Sequence, residues 1–253
     1  MTDDKKSKGH PPTYRQRIYG YYNTSRQGKS RLDILSELTP RAPYLRYLIR
    51  NFFPAQKSAS ILDLGCGYGS LIHFASQAGY MNVSGVDVSP EQVAAARQLG
   101  LSNVKEGDLM NVLESQPDGT LDLIIAFDLI EHLTKDELIA LIDHALRALR
   151  KDGRFLIHTP NGESPFAGRI RYGDFTHELA FTSASMHQLL ISSGFSTVQS
   201  FEDQPIVHGV KSGVRFLAWK LIRFFFAAIL AVETGQTSSS HIFSQNFLTL
   251  AIK

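Results

Sequence analysis

Cysteine is nearly absent from this sequence. The 253 residues include one cysteine, Cys66, so no disulfide can form within the chain. Disulfide-free proteins are typical of reducing compartments. The opening segment MTDDKKSKGHPP also lacks the apolar stretch that a signal peptide needs. We therefore expect a cytoplasmic protein.

Long apolar runs are also missing. Segment 214–232 is strongly apolar, but its uninterrupted apolar run is residues 224–232, whereas a membrane span needs about 20 residues. On a helix, Arg215, Lys220 and Arg223 project within one arc and leave a broad apolar face opposite. This pattern predicts a helix packed on the domain or at a homodimer contact. The alternative is an interfacial helix lying on anionic lipid at the inner face of the membrane.

Net charge is small, at +2, but it is unevenly distributed. Residues 1–31 contain eight Lys or Arg against two Asp, and the remainder is mildly acidic. Such an arm either contacts nucleic acid or anionic lipid, or is a solvated tail. We expect the solvated tail and no nucleic-acid partner.

The middle of the chain alternates between strand-like and helix-like segments. Strands are predicted at 60–64, 82–87, 103–108, 121–128 and 153–158, and helices at 70–78, 89–100 and 135–150. This alternation indicates an α/β fold with a parallel sheet and right-handed crossovers. Ligands of such sheets bind at the carboxyl ends of the strands.

A glycine-rich loop follows the first predicted strand, in ILDLGCGYGS (61–70). Gly65, Gly67 and Gly69 allow a ligand to approach the backbone at a helix N-terminus. The spacing does not fit a dinucleotide fingerprint, and no phosphate loop ending in Gly-Lys-Ser/Thr is present. Asp87 and Asp108 end the next two strands, where they can accept hydrogen bonds from a ribose diol and reach an adenine edge.

Four segments, in this order, resemble the class I S-adenosylmethionine (SAM)-dependent methyltransferases: DLGCGYG (63–69), GVDVS (85–89), GDL (107–109) and AFDLIEHL (126–133). The resemblance implies a Rossmann-like, seven-stranded, mostly parallel sheet with helices on both faces and an antiparallel last strand. It implies SAM as cofactor and assigns its binding to Asp63, Gly65, Cys66, Gly67, Gly69, Asp87, Val88, Asp108, Leu109 and Phe127.

Catalytic candidates follow the fifth and fourth strands. In segment 158–190, Asp174 and His177 lie close in sequence, and we predict His177 as general base with Asp174 orienting it. Asp128 is a further candidate. The alternatives are a structural turn with a hydrogen-bonded His177, or a hard-metal site, and we predict no metal. Glu131 and His132 are expected to close the start of a helix and orient the cofactor loop.

The acceptor is predicted from a narrower resemblance. PNGESPFAGRIRYGDFTHELAFT (160–182) and ETGQTSSSHIFSQNFLTLAIK (233–253) look like a bacterial methyltransferase subgroup associated with polysaccharide and sugar modification. We therefore expect O-methylation of a sugar hydroxyl on a small-molecule or lipid-linked acceptor. A quinone precursor or a carboxylic acid is the alternative acceptor, and a cofactor-binding regulator without turnover is the alternative class.

The predicted organisation is one domain in three segments. Residues 1–50 supply an arm and lid, residues 51–202 form the cofactor-binding core, and residues 203–253 add the amphipathic helix and final strand.

Overall fold

The computed structural model describes residues 14, 15, 17, 18, 31–235 and 241–253. Most of the predicted basic arm, and residues 236–240 of the C-terminal segment, lie outside the described residues. The strands are β1 (Ser60–Leu64), β2 (Asn82–Asp87), β3 (Val104–Glu106), β4 (Leu121–Phe127), β5 (Leu149–Pro160), β6 (Thr197–Glu202) and β7 (Asn246–Ile252). The helices are α1 (Arg31–Phe52), α2 (Ser70–Gln77), α3 (Pro90–Gln98), α4 (Leu109–Glu114), α5 (Lys135–Ala148), α6 (Ala167–Arg171), α7 (Ser183–Ser192) and α8 (Val210–Thr234).

All seven strands form one sheet in the order β3-β2-β1-β4-β5-β7-β6. The pairs from β3 to β5 are parallel, whereas β7 runs antiparallel to both β5 and β6. The strand order reverses between β1 and β4, and ligands of open α/β sheets bind at such a reversal. The predicted fold class is therefore confirmed.

The sheet separates two apolar cores because alternate strand residues face opposite sides. On one face, Ile61 and Leu123 pack with α1, α2 and α3, and on the other, Leu62 and Ile124 pack with α4, α5 and α7. Helix α1 crosses the predicted boundary at residue 50 and buries Leu45 and other residues in the first core. The part of the predicted lid from residue 31 onward is thus packed against the domain.

Side-chain caps fix the first residues of two helices. Ser89 caps α3, with Pro90 at its first position as predicted, and Thr134 forms a capping box at the start of α5. β5 begins at Leu149, four residues before the predicted start, because Leu149 pairs with Leu121 of β4 directly after α5 ends at Ala148.

Candidate active site

The loop between β1 and α2 is built from three glycines with positive φ: 65° at Gly65, 55° at Gly67 and 74° at Gly69. A Cβ on Gly67 would meet only the side-chain oxygen of Gln92, at 3.9 Å, so the space over this residue is open. A Cβ on Gly69 would lie 2.8 Å from Leu101. Gly67 therefore leaves room for a ligand, whereas Gly69 is required by packing within the protein.

Two aspartates flank this loop. Asp63 lies near the end of its strand and is 3% exposed, and its Oδ1 has no hydrogen-bond partner among the described residues. Burial raises the pKa of Asp63 to about 8, and the negative charge of Asp87 adds to the shift. The Asp87 carboxylate accepts hydrogen bonds from the backbone N–H of Gly67, at 2.7 Å, and of Ser89, at 2.9 Å. Asp87 thus fixes the glycine loop against the end of β2.

Four further predicted cofactor residues follow β1, β2 and β3, namely Cys66, Val88, Asp108 and Leu109. Val88 exposes 65% of its surface beyond β2. Asp108 caps α4 through the backbone N–H of Asn111, at 3.0 Å, and Leu109 packs partly on the second core. Cys66 is partly buried, and burial raises the pKa of its thiol, so it is unsuited to act as a nucleophile.

These residues fit SAM as a ligand. The unpartnered Asp63 oxygen offers an acceptor, the space over Gly67 is open, and Asp87 and Asp108 follow adjacent strands. When bound, SAM supplies a methyl group already activated by a sulfonium. The chain then has to hold an acceptor in line with the bond between the sulfur and the methyl carbon.

A buried imidazole lies beside the end of β4. His158 is 3% exposed and stacks on Phe127, with ring centroids 4.0 Å apart. Its Nδ1 lies 2.6 Å from Asp128, a residue held at φ 51°, and its Nε2 lies 3.3 Å from Asp203. Burial opposes the charged ring, but the attraction and hydrogen bonds of the two carboxylates outweigh it and raise the pKa of His158 to about 10. His158 is therefore a cation at neutral pH, and it holds Asp128 in place.

A second histidine is fixed by a chain of hydrogen bonds. The Thr176 hydroxyl donates to Asp174 at 2.6 Å, so its oxygen accepts from Nδ1 of His132, at 2.8 Å. The proton of the neutral ring is thereby held on Nδ1, which leaves the lone pair of Nε2 available. Burial, reinforced by His177, lowers the pKa of His132. His132 is a neutral imidazole at pH 7.

His177 lies next to this ring. The two imidazole centroids are 4.7 Å apart, and Nδ1 of His177 is buried without a hydrogen-bond partner among the described residues. Glu131, 1% exposed, completes the group, and one ligand atom of each of the three side chains lies within 4.8 Å of the others. This histidine–carboxylate set suits proton transfer or a divalent cation.

Glu131 also connects several elements of the site. Burial raises the pKa of Glu131 to about 8, and the charge of Asp128 adds to the shift. Its side chain accepts from the Thr159 hydroxyl at 3.1 Å. Its carbonyl accepts from the backbone N–H of Glu178 and Leu179, at 2.7 and 3.0 Å. Segment 174–179 is thereby anchored beside the end of β4.

Residues 14 and 15 of the predicted lid contact the same region. The Tyr14 hydroxyl hydrogen-bonds Glu178. Arg15 makes two hydrogen bonds to Glu137, at 2.8 and 3.0 Å, and a third to the carbonyl of His132, at 2.8 Å. The role of this segment as a lid stays a prediction.

The predicted catalytic residues form two groups. Asp174 and His177 join His132, and the Asp174 side chain accepts hydrogen bonds from the backbone and hydroxyl of Thr176. Asp128 forms the other group with His158. Sequence reasoning missed Asp203, because a single carboxylate 45 residues after His158 carries no local signal. The catalytic roles stay predictions.

Known proteins share parts of this sequence. A family profile described as a methyltransferase domain matches residues 38–200. Norajmaline N-methyltransferase of Rauvolfia serpentina is 34% identical over 92 residues, which is 33% of this chain and 30% of that protein. A probable SAM-dependent methyltransferase of Mycolicibacterium smegmatis is 28% identical over 136 residues, 53% of this chain and 51% of that protein. The chain thus spans about a third to a half of these curated relatives.

Among solved structures, a SAM-dependent methyltransferase from Archaeoglobus fulgidus superposes with a TM-score of 0.60 at 21% identity, over 93% of this chain and 99% of that one. This likeness supports the fold. The family match confirms the predicted methyltransferase and its cofactor, SAM, while the polysaccharide subgroup stays a prediction. The profile covers more than half of the sequence, and on that basis the chain belongs to the class I SAM-dependent methyltransferases.

Proposed function

We propose that the protein transfers the methyl group of SAM to a hydroxyl group of a sugar. The observation that carries this proposal is the neutral His132, whose Nδ1 proton is engaged by Thr176 and whose Nε2 is available next to His177. A hydroxyl acceptor needs a base to take its proton, whereas a carboxylate acceptor does not. The base set at the carboxyl edge of the sheet therefore supports an oxygen acceptor with a proton to lose.

The sugar is supported by the resemblance of segments 160–182 and 233–253 to methyltransferases of polysaccharide modification. An amine acceptor is the second candidate, because one relative is named as an N-methyltransferase. A quinone precursor and a carboxylic acid are further candidate acceptors.

A screen with methyl-labelled SAM separates these acceptors. The panel contains sugar nucleotides with hexose, N-acetylhexosamine, deoxyhexose and uronic acid groups, lipid-linked sugars, catechols, fatty acids and amines. We expect the labelled methyl group to appear as a methyl ether on a sugar. Labelling confined to amines, catechols or carboxylic acids would overturn the proposal, as would wild-type protein that binds SAM and labels nothing. Asp87→Ala serves as the inactive control.

We also propose that the protein binds peripherally to anionic membranes through α8. No helix in the described ranges is long and apolar enough to cross a membrane. The inner side of α8 is held to the domain by Arg223, which bonds Glu202 at 2.7 Å, and by Phe226, whose ring lies 6.0 Å from that of Phe243.

The outer side of α8 is apolar along its whole length. Residues at helical spacing present large apolar side chains that are 57–88% exposed, namely Val210, Val214, Leu217, Leu221, Phe224, Phe225 and Val232. Lys211, Arg215 and Lys220 flank this stripe, and no acidic residue occurs between Asp203 and Glu233. An apolar stripe with basic flanks is the pattern of helices lying in an anionic lipid interface. The basic flanks favour lipid over a second copy of the same helix.

Vesicle sedimentation tests this contact. The wild type should bind vesicles of phosphatidylcholine with phosphatidylglycerol, bind pure phosphatidylcholine less, and lose binding as salt rises. The double variant Leu217→Glu/Leu221→Glu should lose binding, whereas Met81→Glu, at a 73% exposed apolar position outside α8, should not. Absence of wild-type binding, with a dimer that the double variant dissociates, would overturn the lipid proposal in favour of a homodimer.

A further inference from the structure

A cavity of about 600 Å³ lies between α8 and the sheet edge. Tyr44 of α1, Asp203 after β6, Arg215 and Trp219 of α8, and Asn246 at the start of β7 line it, together with Phe166. Its volume is in the range of small-molecule sites. Its walls combine aromatic rings with hydrogen-bonding groups and one cation.

Polar atoms of the lining residues lack partners within the protein. Nε1 of Trp219 and Oδ1 of Asn246 are buried without hydrogen-bond partners among the described residues. The Tyr44 hydroxyl is also buried without a hydrogen-bond partner among the described residues. Burial and the nearby negative charge of Asp203 raise the pKa of Tyr44. Buried polar groups in folded proteins are normally paired. A hydroxyl-rich ligand supplies both the donors and the acceptors that these atoms need.

The cation of the cavity is Arg215. It is exposed, and no carboxylate among the described residues forms an ion pair with it. A guanidinium binds phosphate through paired, charge-assisted hydrogen bonds. An acceptor that carries a phosphate would therefore be held at this side of the cavity.

A chain of hydrogen bonds connects the cavity to the cofactor side of the site. Asp203 lines the cavity and lies 3.3 Å from Nε2 of His158, whose Nδ1 is 2.6 Å from Asp128 in the loop after β4. A ligand in the cavity would thus lie at the carboxyl edge of the sheet, where the family binds SAM.

We propose that this cavity binds the acceptor as a glycosyl phosphate, with the sugar against Trp219 and Asn246 and the phosphate at Arg215. This inference rests on the proposed sugar methylation and names the part of the chain that selects the acceptor. Soluble sugar nucleotides and lipid-linked sugars both carry a sugar joined to a phosphate, so either could be the ligand of this cavity.

Trp219 is the single tryptophan of the chain, so its fluorescence reports ligand binding at the cavity without any methyl transfer. Wild-type protein saturated with S-adenosylhomocysteine is titrated with the four classes of sugar nucleotide, and separately with a glycosyl polyprenyl phosphate in neutral vesicles. At least one should give a saturable change, and the free sugar should bind at least tenfold more weakly. No saturable change with any of them would overturn the proposal.

Variants test the assigned contacts. Arg215→Ala should raise the Kd for the phosphate-bearing ligand about tenfold or more, and Asn246→Ala should raise it severalfold. Arg97→Ala, at an exposed arginine of α3 outside the cavity lining, should leave it unchanged. Equal Kd values in Arg215→Ala and Arg97→Ala would overturn the phosphate assignment.

The two proposals fail differently. Saturable binding without labelling of the same ligand would retain the cavity and reject sugar methylation. Labelling of a sugar with KM unchanged in Arg215→Ala and Asn246→Ala would retain sugar methylation and reject the cavity.

Discussion

Two histidines of the site differ in protonation state, and this difference determines which of them can act as a base. His158 is held as a cation between two carboxylates, whereas His132 is kept neutral by burial and by its neighbour His177. Only a neutral imidazole has a lone pair to accept a proton. The basic partner of the acceptor is thus expected in the pair formed by His132 and His177.

Substitution of His177 tests the predicted base. His177→Ala should lower kcat by about 10²–10⁴, the range of general base catalysis, with SAM affinity within a fewfold of wild type. The exposed His187→Ala is the matched control and should behave as wild type.

Three other results would reassign His177. Normal kcat with a raised KM or lowered stability would make it a packing residue. Loss of turnover in His132→Gln, with normal kcat in His177→Ala, would make His132 the base. Loss of wild-type activity in a chelator, restored by Mg²⁺ or Mn²⁺, would make the group with Glu131 a metal site.

Asp87 is the residue on which cofactor affinity should depend most. Its carboxylate holds the glycine loop through two backbone N–H groups and is predicted to bind the ribose. Loss of hydrogen bonds to a charged group costs about 1.5–3 kcal/mol, so Asp87→Ala should weaken SAM binding about 10- to 100-fold. Calorimetry checks this, with the exposed Asp136→Ala as control. Unchanged affinity in folded Asp87→Ala would remove Asp87 from the site.

At the scale of elements, short apolar runs bounded by glycine or aspartate could be predicted closely from the sequence. β1 and β2 have the predicted limits because turn residues follow them directly. Contacts that join distant segments could not be predicted: Asp203 reaches His158, and Thr176 reaches His132, only after the sheet has formed. The sequence pattern places Gly69 in one group with Gly67, and only the structure shows that Leu101 fills the space beside Gly69.

The glycine loop offers a test that separates ligand clash from backbone strain. Gly67→Val should abolish SAM binding because the side chain enters the open space over the loop. Positive φ also strains any L-residue by about 1–2 kcal/mol. Gly100 has φ 84°, and a Cβ at this position would have no neighbour within 4 Å, so Gly100→Val carries similar strain away from the site.

We therefore expect both glycine variants to lose similar thermal stability while only Gly67→Val loses SAM binding. If Gly67→Val unfolds far below Gly100→Val and its folded fraction still binds SAM, the open space over Gly67 has no role in binding the cofactor.

At the scale of the whole molecule, several buried groups make stability depend on pH in the same direction. The pKa of His158 is raised to about 10, and those of Asp63 and Glu131 to about 8. A group whose pKa is higher in the folded state binds more protons there than in the unfolded chain. Its stabilisation is full below the unfolded pKa and is lost as pH rises through the folded pKa.

His158 dominates the alkaline part of this dependence, since its unfolded pKa is about 6.5. The stabilisation from His158 is fully present below about pH 6.5 and is lost as pH rises through about 10. Urea unfolding of the wild type should therefore show a free energy of unfolding that falls by on the order of 2 kcal/mol between about pH 8 and pH 9.5, above the folded pKa values of Asp63 and Glu131. His158→Gln should be less stable at the lower pH and show a flatter profile, because Asp128 and Asp203 then face no titrating cation. Glu131→Gln controls for the carboxyl groups and should keep the steep alkaline limb. Parallel profiles of wild type and His158→Gln would contradict the assignment of a buried imidazolium at the end of β5.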